Sequence, residues 1–120
     1  MKKSEVVKNN RDFDRIIQKG QLKKNNEFII YYDDNNLEIN RFGISVGKKI
    51  GNAVTRNYYK RVIRNICDNT NFLYSKGKDY IIIMRKGCKD LEYLSISNSF
   101  ANLIKKIENQ EKEQKNEKTN

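Results

Sequence analysis

A chain of 120 residues has room for one hydrophobic core, and 25 Lys and Arg against 15 Asp and Glu leave it with a formal charge of +10. That balance points to a polyanionic partner, nucleic acid or an acidic membrane surface. With no His, the commonest general base and metal ligand is missing, which argues against an autonomous enzyme, and no apolar run approaches the roughly 18 residues of a membrane span.

In chain order, Met1 to Asn10 lacks the apolar centre of a signal peptide, so the expected location is the cytoplasm. Asn10 has the chemistry of a helix N-cap, Asp12 and Asp14 suit the positive end of the dipole, Phe13, Ile16 and Ile17 recur at helical spacing, and Gly20 is a stop. Gln21 to Lys24 forms a short predicted strand. Phe28 to Tyr32 is a second, ended by Asp33-Asp34-Asn35-Asn36, which has turn composition. Arg41 to Gly47 alternates, with Phe42, Ile44 and Val46 on one face, as a strand with one buried side requires.

Asn52 is the expected cap of a helix running to Cys67. Tyr59, Val62, Ile63, Ile66 and Cys67 form its apolar stripe, and Arg56, Asn57, Lys60, Arg61, Arg64 and Asn65 its polar one. Tyr80 to Met84 reads as an interior strand covered on both faces, and Ile96, Phe100, Leu103, Ile104 and Ile107 line one side of a last helix. The order α-β-β-β-α-β-α predicts an α+β sandwich, with the basic helix as a crossover between parallel strands. Residues 1–107 form the single domain. Residues 108–120 contain no apolar side chain and read as a disordered charged tail.

The distribution of charge says more than its sum, because a coding bias toward Lys, Asn and Ile raises net charge without clustering it. From Arg41 to Arg64 there are seven cations and no carboxylate. On the basic helix Arg56, Lys60 and Arg64 recur every four residues, a row whose self-repulsion is relieved by a phosphate backbone that releases its counterions on binding. Arg grips phosphate bidentately and Asn donates to phosphate or sugar, so the row suits a folded RNA.

Other chemistry is scarce. Asp33 and Asp34 are the only adjacent carboxylates that could hold a magnesium ion, and a solvated turn accounts for them better. Cys67 and Cys88 fall short of a zinc site and read as ordinary reduced thiols. A ribosomal-type structural RNA-binding protein remains the alternative that the same chemistry allows.

The run Lys48-Lys49-Ile50-Gly51-Asn52-Ala53-Val54-Thr55-Arg56-Asn57-Tyr58-Tyr59-Lys60-Arg61-Val62-Ile63-Arg64 resembles the signature of the ribonuclease P protein family. Further similarity lies in Phe13 to Gly20, Phe28 to Tyr31, Arg41 to Val46 and Asp79 to Ile83. The resemblance implies three helices and a four-stranded sheet, with a left-handed strand-helix-strand crossover of the kind found in a small-subunit ribosomal protein. It implies a binding subunit without catalytic residues, in a particle of one protein and one RNA. The RNA subunit would cleave precursor tRNA with magnesium to free the mature 5′ end. Lys48, Lys49, Asn52, Arg56, Asn57, Lys60, Arg61 and Arg64 would then hold the RNA subunit, and Phe13, Ile17, Ile29 and Tyr31 would form a cleft for the single-stranded 5′ leader, whose bases stack on aromatic rings. Tyr58 stands where the family usually has Arg, and Ile17 where an aromatic is common.

Overall fold

The computed structural model describes residues 1–72 and 76–118, with side chains through Glu111. Helix α1 (Asn10–Lys19) is capped by Asn9, one residue ahead of the expected position, whose side chain accepts the Asp12 N–H at 2.8 Å. Gly20 ends it in a tight place: a Cβ there would lie 2.4 Å from the Ile16 carbonyl oxygen and 2.7 Å from that of Tyr32. Strands β1 (Gln21–Lys24), β2 (Phe28–Asp34), β3 (Arg41–Ser45) and β4 (Lys78–Met84) form one sheet in the order β1-β2-β4-β3. β1 and β4 flank β2 antiparallel, while β3 and β4 run parallel. A parallel pair cannot be joined by a hairpin, and α2 (Ala53–Asn69) supplies the crossover. Helix α3 (Tyr93–Lys118) ends the described chain. No helix among the described residues is long and apolar enough to cross a membrane.

Register divides the sheet into two faces. Phe28, Ile30, Tyr32, Phe42, Tyr80, Ile82 and Met84 face the buried stripe of α2 (Tyr59, Ile63, Ile66, Cys67) and that of α3 (Ile96, Phe100, Leu103, Ile104, Ile107) in one continuous core. Phe100 meets Phe28 edge-on at 5.6 Å between ring centroids, and Phe42 stacks on Tyr80 at 5.6 Å. Burying each such side chain stabilises the fold by roughly 1.5–3 kcal/mol. Across the opposite face run three rows of in-register neighbours: Lys24, Ile29, Ile83 and Ser45; Leu22, Tyr31, Ile81 and Gly43; Asp33, Asp79 and Arg41. Helix α1 lies on this side, over the second and third rows, with Ile16 and Phe13 clustered with Ile81 and with Val7 of the preceding segment.

Beyond the cap at Asn9, α2 extends to Asn69 and β4 begins at Lys78, and three further boundaries differ from the sequence expectation with consequences for packing. β2 continues through Asp33 and Asp34, because each carboxylate finds a cation there, Arg15 for Asp33 and Lys78 for Asp34. The turn starts at Asn35, whose side chain accepts the Leu37 N–H, and Asn36 takes a left-handed φ of 60°. β3 stops at Ser45, where the chain leaves the sheet for a turn closed by the Ile50 N–H on the Gly47 carbonyl. The disordered tail expected from residue 108 is corrected for its first residues: α3 runs to Lys118, and Glu108 and Glu111 are buried. Composition alone missed this because the stabilising partner is distant. Lys78 Nζ lies 3.2 Å from Glu111 Oε1 and 2.6 Å from Asp34 Oδ1. Burial would lower the Lys78 pKa, but these two hydrogen bonds and charges outweigh it and raise it. Residues 119 and 120 of that expected tail lie outside the described residues.

Candidate nucleic-acid interface

Helix α2 begins where expected: the Asn52 side-chain oxygen accepts the Thr55 N–H at 2.9 Å, leaving the amide NH₂ of Asn52 exposed toward solvent. With its apolar stripe buried, Asn57, Arg61 and Arg64 are exposed and Lys60 is half-buried beside them. Lys48 and Lys49 project from the turn that feeds the helix. Arg56 and Arg64 are eight residues apart, about 12 Å along the axis, a length suited to several successive phosphates. Arg56 sits nearer the core than the polar stripe suggested. It is half-buried, and its Nε is buried with no hydrogen-bond partner among the described residues. Asp68, the first carboxylate on the helix, is bound at 2.9 Å by the N-terminal amine of Met1, so it does not neutralise the cationic row.

The second surface lies between α1 and the uncovered row of the sheet. Phe13 rests over Gly43: a Cβ at Gly43 would lie 2.5 Å from Phe13 Cζ. Phe13, Tyr31 and Ile83 are half-buried around the Val7, Ile16 and Ile81 cluster, so the structure brings Phe13 and Tyr31 together. Ile17, one turn after Phe13 on α1, is 41% exposed. Ile29 lines the adjoining depression of about 800 Å³ with Ser45, Lys48, Lys49, Ile83, Arg85 and Lys86.

Sequence reasoning missed Ile83, Arg85 and Lys86. The apolar run from Tyr80 to Met84 was expected to be covered on both faces, whereas Ile83 packs at the edge of the Val7, Ile16 and Ile81 cluster and stays half-exposed. Arg85 and Lys86 directly follow that strand, and two cations after an apolar strand are the signal of a cationic rim.

Helix α1 is held in place by charge. Asp79 is 0% exposed and accepts from Arg15 Nη2 at 2.9 Å, Arg41 Nη2 at 2.6 Å, Arg41 Nε at 2.8 Å and Asn35 Nδ2 at 2.9 Å. Burial by itself would raise the Asp79 pKa, but hydrogen bonds from Arg41 and Asn35 and the charges of Arg41 and Arg15 outweigh burial and hold it below the ordinary carboxylate range. Arg15 also binds Asp33 at 2.9 Å, and Arg41 approaches Asp12 on α1 at 3.7 Å. Asp33 lies on the α1 face and Asp34 on the other, as adjacent strand residues must, so the pair cannot converge on one magnesium ion. The thiols are both free and buried; burial raises the Cys67 pKa and pushes that of Cys88 up to about 11.

Fold and surface together define an α+β RNA-binding protein with a basic helix beside a half-open sheet. The family model for ribonuclease P matches residues 1–108. The ribonuclease P protein component of Mycoplasma mycoides is 48% identical over 108 residues, covering 89% of this chain and 99% of its own, and that of Bacillus cereus strain B4264 is 38% identical over 107 residues, covering 88% and 93%. Among solved structures, the Staphylococcus aureus RNase P protein superposes with a TM-score of 0.78 at 40% identity, over 86% of this chain and 94% of its own. The Thermotoga maritima RNase P protein does so with a TM-score of 0.78 at 29% identity, over 85% and 96%. The chain belongs to the ribonuclease P protein family. It is a bacterial-type protein component, a subunit of the endoribonuclease that matures the 5′ end of tRNA.

Proposed function

We propose that the protein divides its work between its two surfaces, α2 holding the catalytic RNA subunit and the α1 cleft holding the 5′ leader of precursor tRNA. Lys48, Lys49, Asn52, Asn57, Lys60, Arg61 and Arg64 grip RNA phosphates and sugars, with Arg56 at the edge of that row. Phe13 and Tyr31 offer rings to leader bases, with Ile17 and Ile29 as apolar walls. The observation that carries this reading is the segregation of charge: Arg56, Lys60, Arg61 and Arg64, with no carboxylate on their helix before Asp68, sit on α2 against one face of the sheet, and the apolar cleft under α1 lies on the other.

In this reading the working particle is one protein with one RNA, located in the cytoplasm, and magnesium serves the RNA. The carboxylates nearest the cleft do not fit a magnesium site, since Asp33 and Asp79 are already bound by Arg15 and Arg41. The protein's part is to position and to neutralise, and the cleavage chemistry belongs to the RNA.

The test is a pair of variants in the reconstituted holoenzyme. Arg64→Ala is expected to weaken binding of the RNA subunit and to reduce the slope of log affinity against log salt by about one. Tyr31→Ala is expected to leave that binding unchanged and to weaken precursor tRNA in proportion to the presence of a leader. Identical effects from both would refute the division.

A further inference from the structure

Among the described residues, five of the exposed large hydrophobic side chains lie on two segments that touch, the first turns of α2 (Val54, Tyr58) and the chain entering α3 (Leu91, Tyr93, Leu94), joined by the Asp90 N–H on the Tyr59 hydroxyl and by Tyr93 on Asn65. Singly such residues need no explanation, but a contiguous group marks a contact surface. Tyr58 is 52% exposed and Tyr93 46%. They stand on one flank of α2. At 100° per residue Tyr58 and Asn65 share that flank, two turns and about 10 Å apart, and the Tyr93 hydroxyl donates to the Asn65 side-chain oxygen, which pins the Tyr93 ring beside it. The Tyr58 ring is braced at 5.2 Å, edge to face, by Tyr59, whose hydroxyl in turn accepts the Asp90 N–H at 2.9 Å. Both rings are thus exposed yet held, and a held ring loses little freedom when something stacks on it.

We infer that Tyr58 and Tyr93 form a stacking site for unpaired nucleobases of the same RNA whose backbone lies on the cationic row of α2. This rests on the proposed role of that helix. Charge sets the orientation. Arg61 and Arg64 bring phosphates along the helix, while the exposed Asp90 and Glu92 outnumber Lys89 in the segment just before α3, so that segment does not attract phosphate and its carboxylates accept from the amino groups of bases. Backbone on the cation side and bases on the Tyr side is the arrangement that single-stranded sites use. The position of Tyr58 therefore exchanges a phosphate contact for a base contact.

The experiment is titration of the RNA subunit with full-length protein at several salt concentrations. Tyr58→Ala and Tyr58→Leu are each expected to weaken binding by roughly five- to 150-fold, as loss of a base–aromatic stack does, with the salt slope unchanged. Tyr58→Phe is expected to stay within about twofold, and Tyr93→Ala to act in the same direction as Tyr58→Ala. Circular dichroism confirms the helix in each variant. Unchanged binding by Tyr58→Ala overturns the inference, as does full affinity in Tyr58→Leu, which would mean apolar burial without stacking. A changed salt slope overturns it in favour of a phosphate contact. A Tyr58→Ala chain that loses self-association in sedimentation but binds RNA normally assigns the patch to a second copy instead. Arg64→Ala run alongside separates the failures: if it too has no effect, the reading of α2 has failed, and if it alone acts, only the stacking site is lost.

Discussion

Replacing Asp79 by Asn tests whether a buried charge holds α1, and with it the cleft wall, against the sheet. The Asn is isosteric, but it keeps one acceptor in place of two and turns an NH₂ group toward the guanidinium groups of Arg15 and Arg41. Removing one partner of a buried ion pair costs about 3–5 kcal/mol when the other is left uncompensated. Here the Arg15 and Arg41 side chains retain 33% and 22% exposure and can rehydrate, so the expected cost falls to about 2–3 kcal/mol. For a domain of this size that corresponds to a drop in Tm of roughly 10 °C. The effect carries a pH signature. Because the folded pKa of Asp79 lies below its unfolded value, its contribution is complete at neutral pH, begins to fall as pH drops toward the ordinary aspartate value of about 3.9, and vanishes once the folded carboxyl is protonated. Thermal unfolding of both chains at fixed ionic strength should therefore show a gap that is widest near pH 7 and closes in acid. A gap under about 0.5 kcal/mol, or one that stays constant down to about pH 3, would refute the electrostatic account of how α1 is held.

Gly43→Ala places a methyl 2.5 Å from Phe13 Cζ and 2.9 Å from Ile81 Cδ1, so urea unfolding should register a loss of about 1–2 kcal/mol and leader affinity should fall as Phe13 is displaced. Asn52→Ala removes the α2 cap and should cost about 1 kcal/mol. Asn52→Asp keeps the cap, so its stability should hold while RNA affinity falls, because it puts a carboxylate into the acid-free segment. Glu111→Gln leaves Lys78 with Asp34 alone and should cost about 1 kcal/mol, with faster amide exchange in the turn from Glu108 to Glu111 as the local readout.

Nearly all of the basic surface was legible in the chain itself. The Asn52 cap, the buried stripe from Tyr59 to Cys67 and the exposed row of Asn57, Arg61 and Arg64 follow from helical periodicity and a side chain three residues from its partner, both local properties. Arg56 departed from that reading because its distance from the core depends on where the helix lies on the sheet. The α-β-β-β-α-β-α order was equally readable, since each element carries its own hydrophobic period.

The cleft was legible only in part. Phe13 and Tyr31 were named from a motif, but nothing in the sequence said that Phe13 would fill the space above Gly43, or that Ile83 would stay half-exposed beside the cluster under α1. Asp79 falls just outside the strand expected from Tyr80 to Met84, yet it is the buried centre of a network whose partners lie 38 to 64 residues away. The polar residues from 108 onward looked unable to order, until Lys78 gave Glu111 a counter-charge 33 positions distant in the sequence. By itself, then, the sequence determined which helix carries the cations and which of its faces they occupy, because capping and periodicity act within a few residues. The shape of the cleft, the burial of Asp79 and the extent of α3 were decided by strand register and by ion pairs between distant segments, which exist only once the chain has folded.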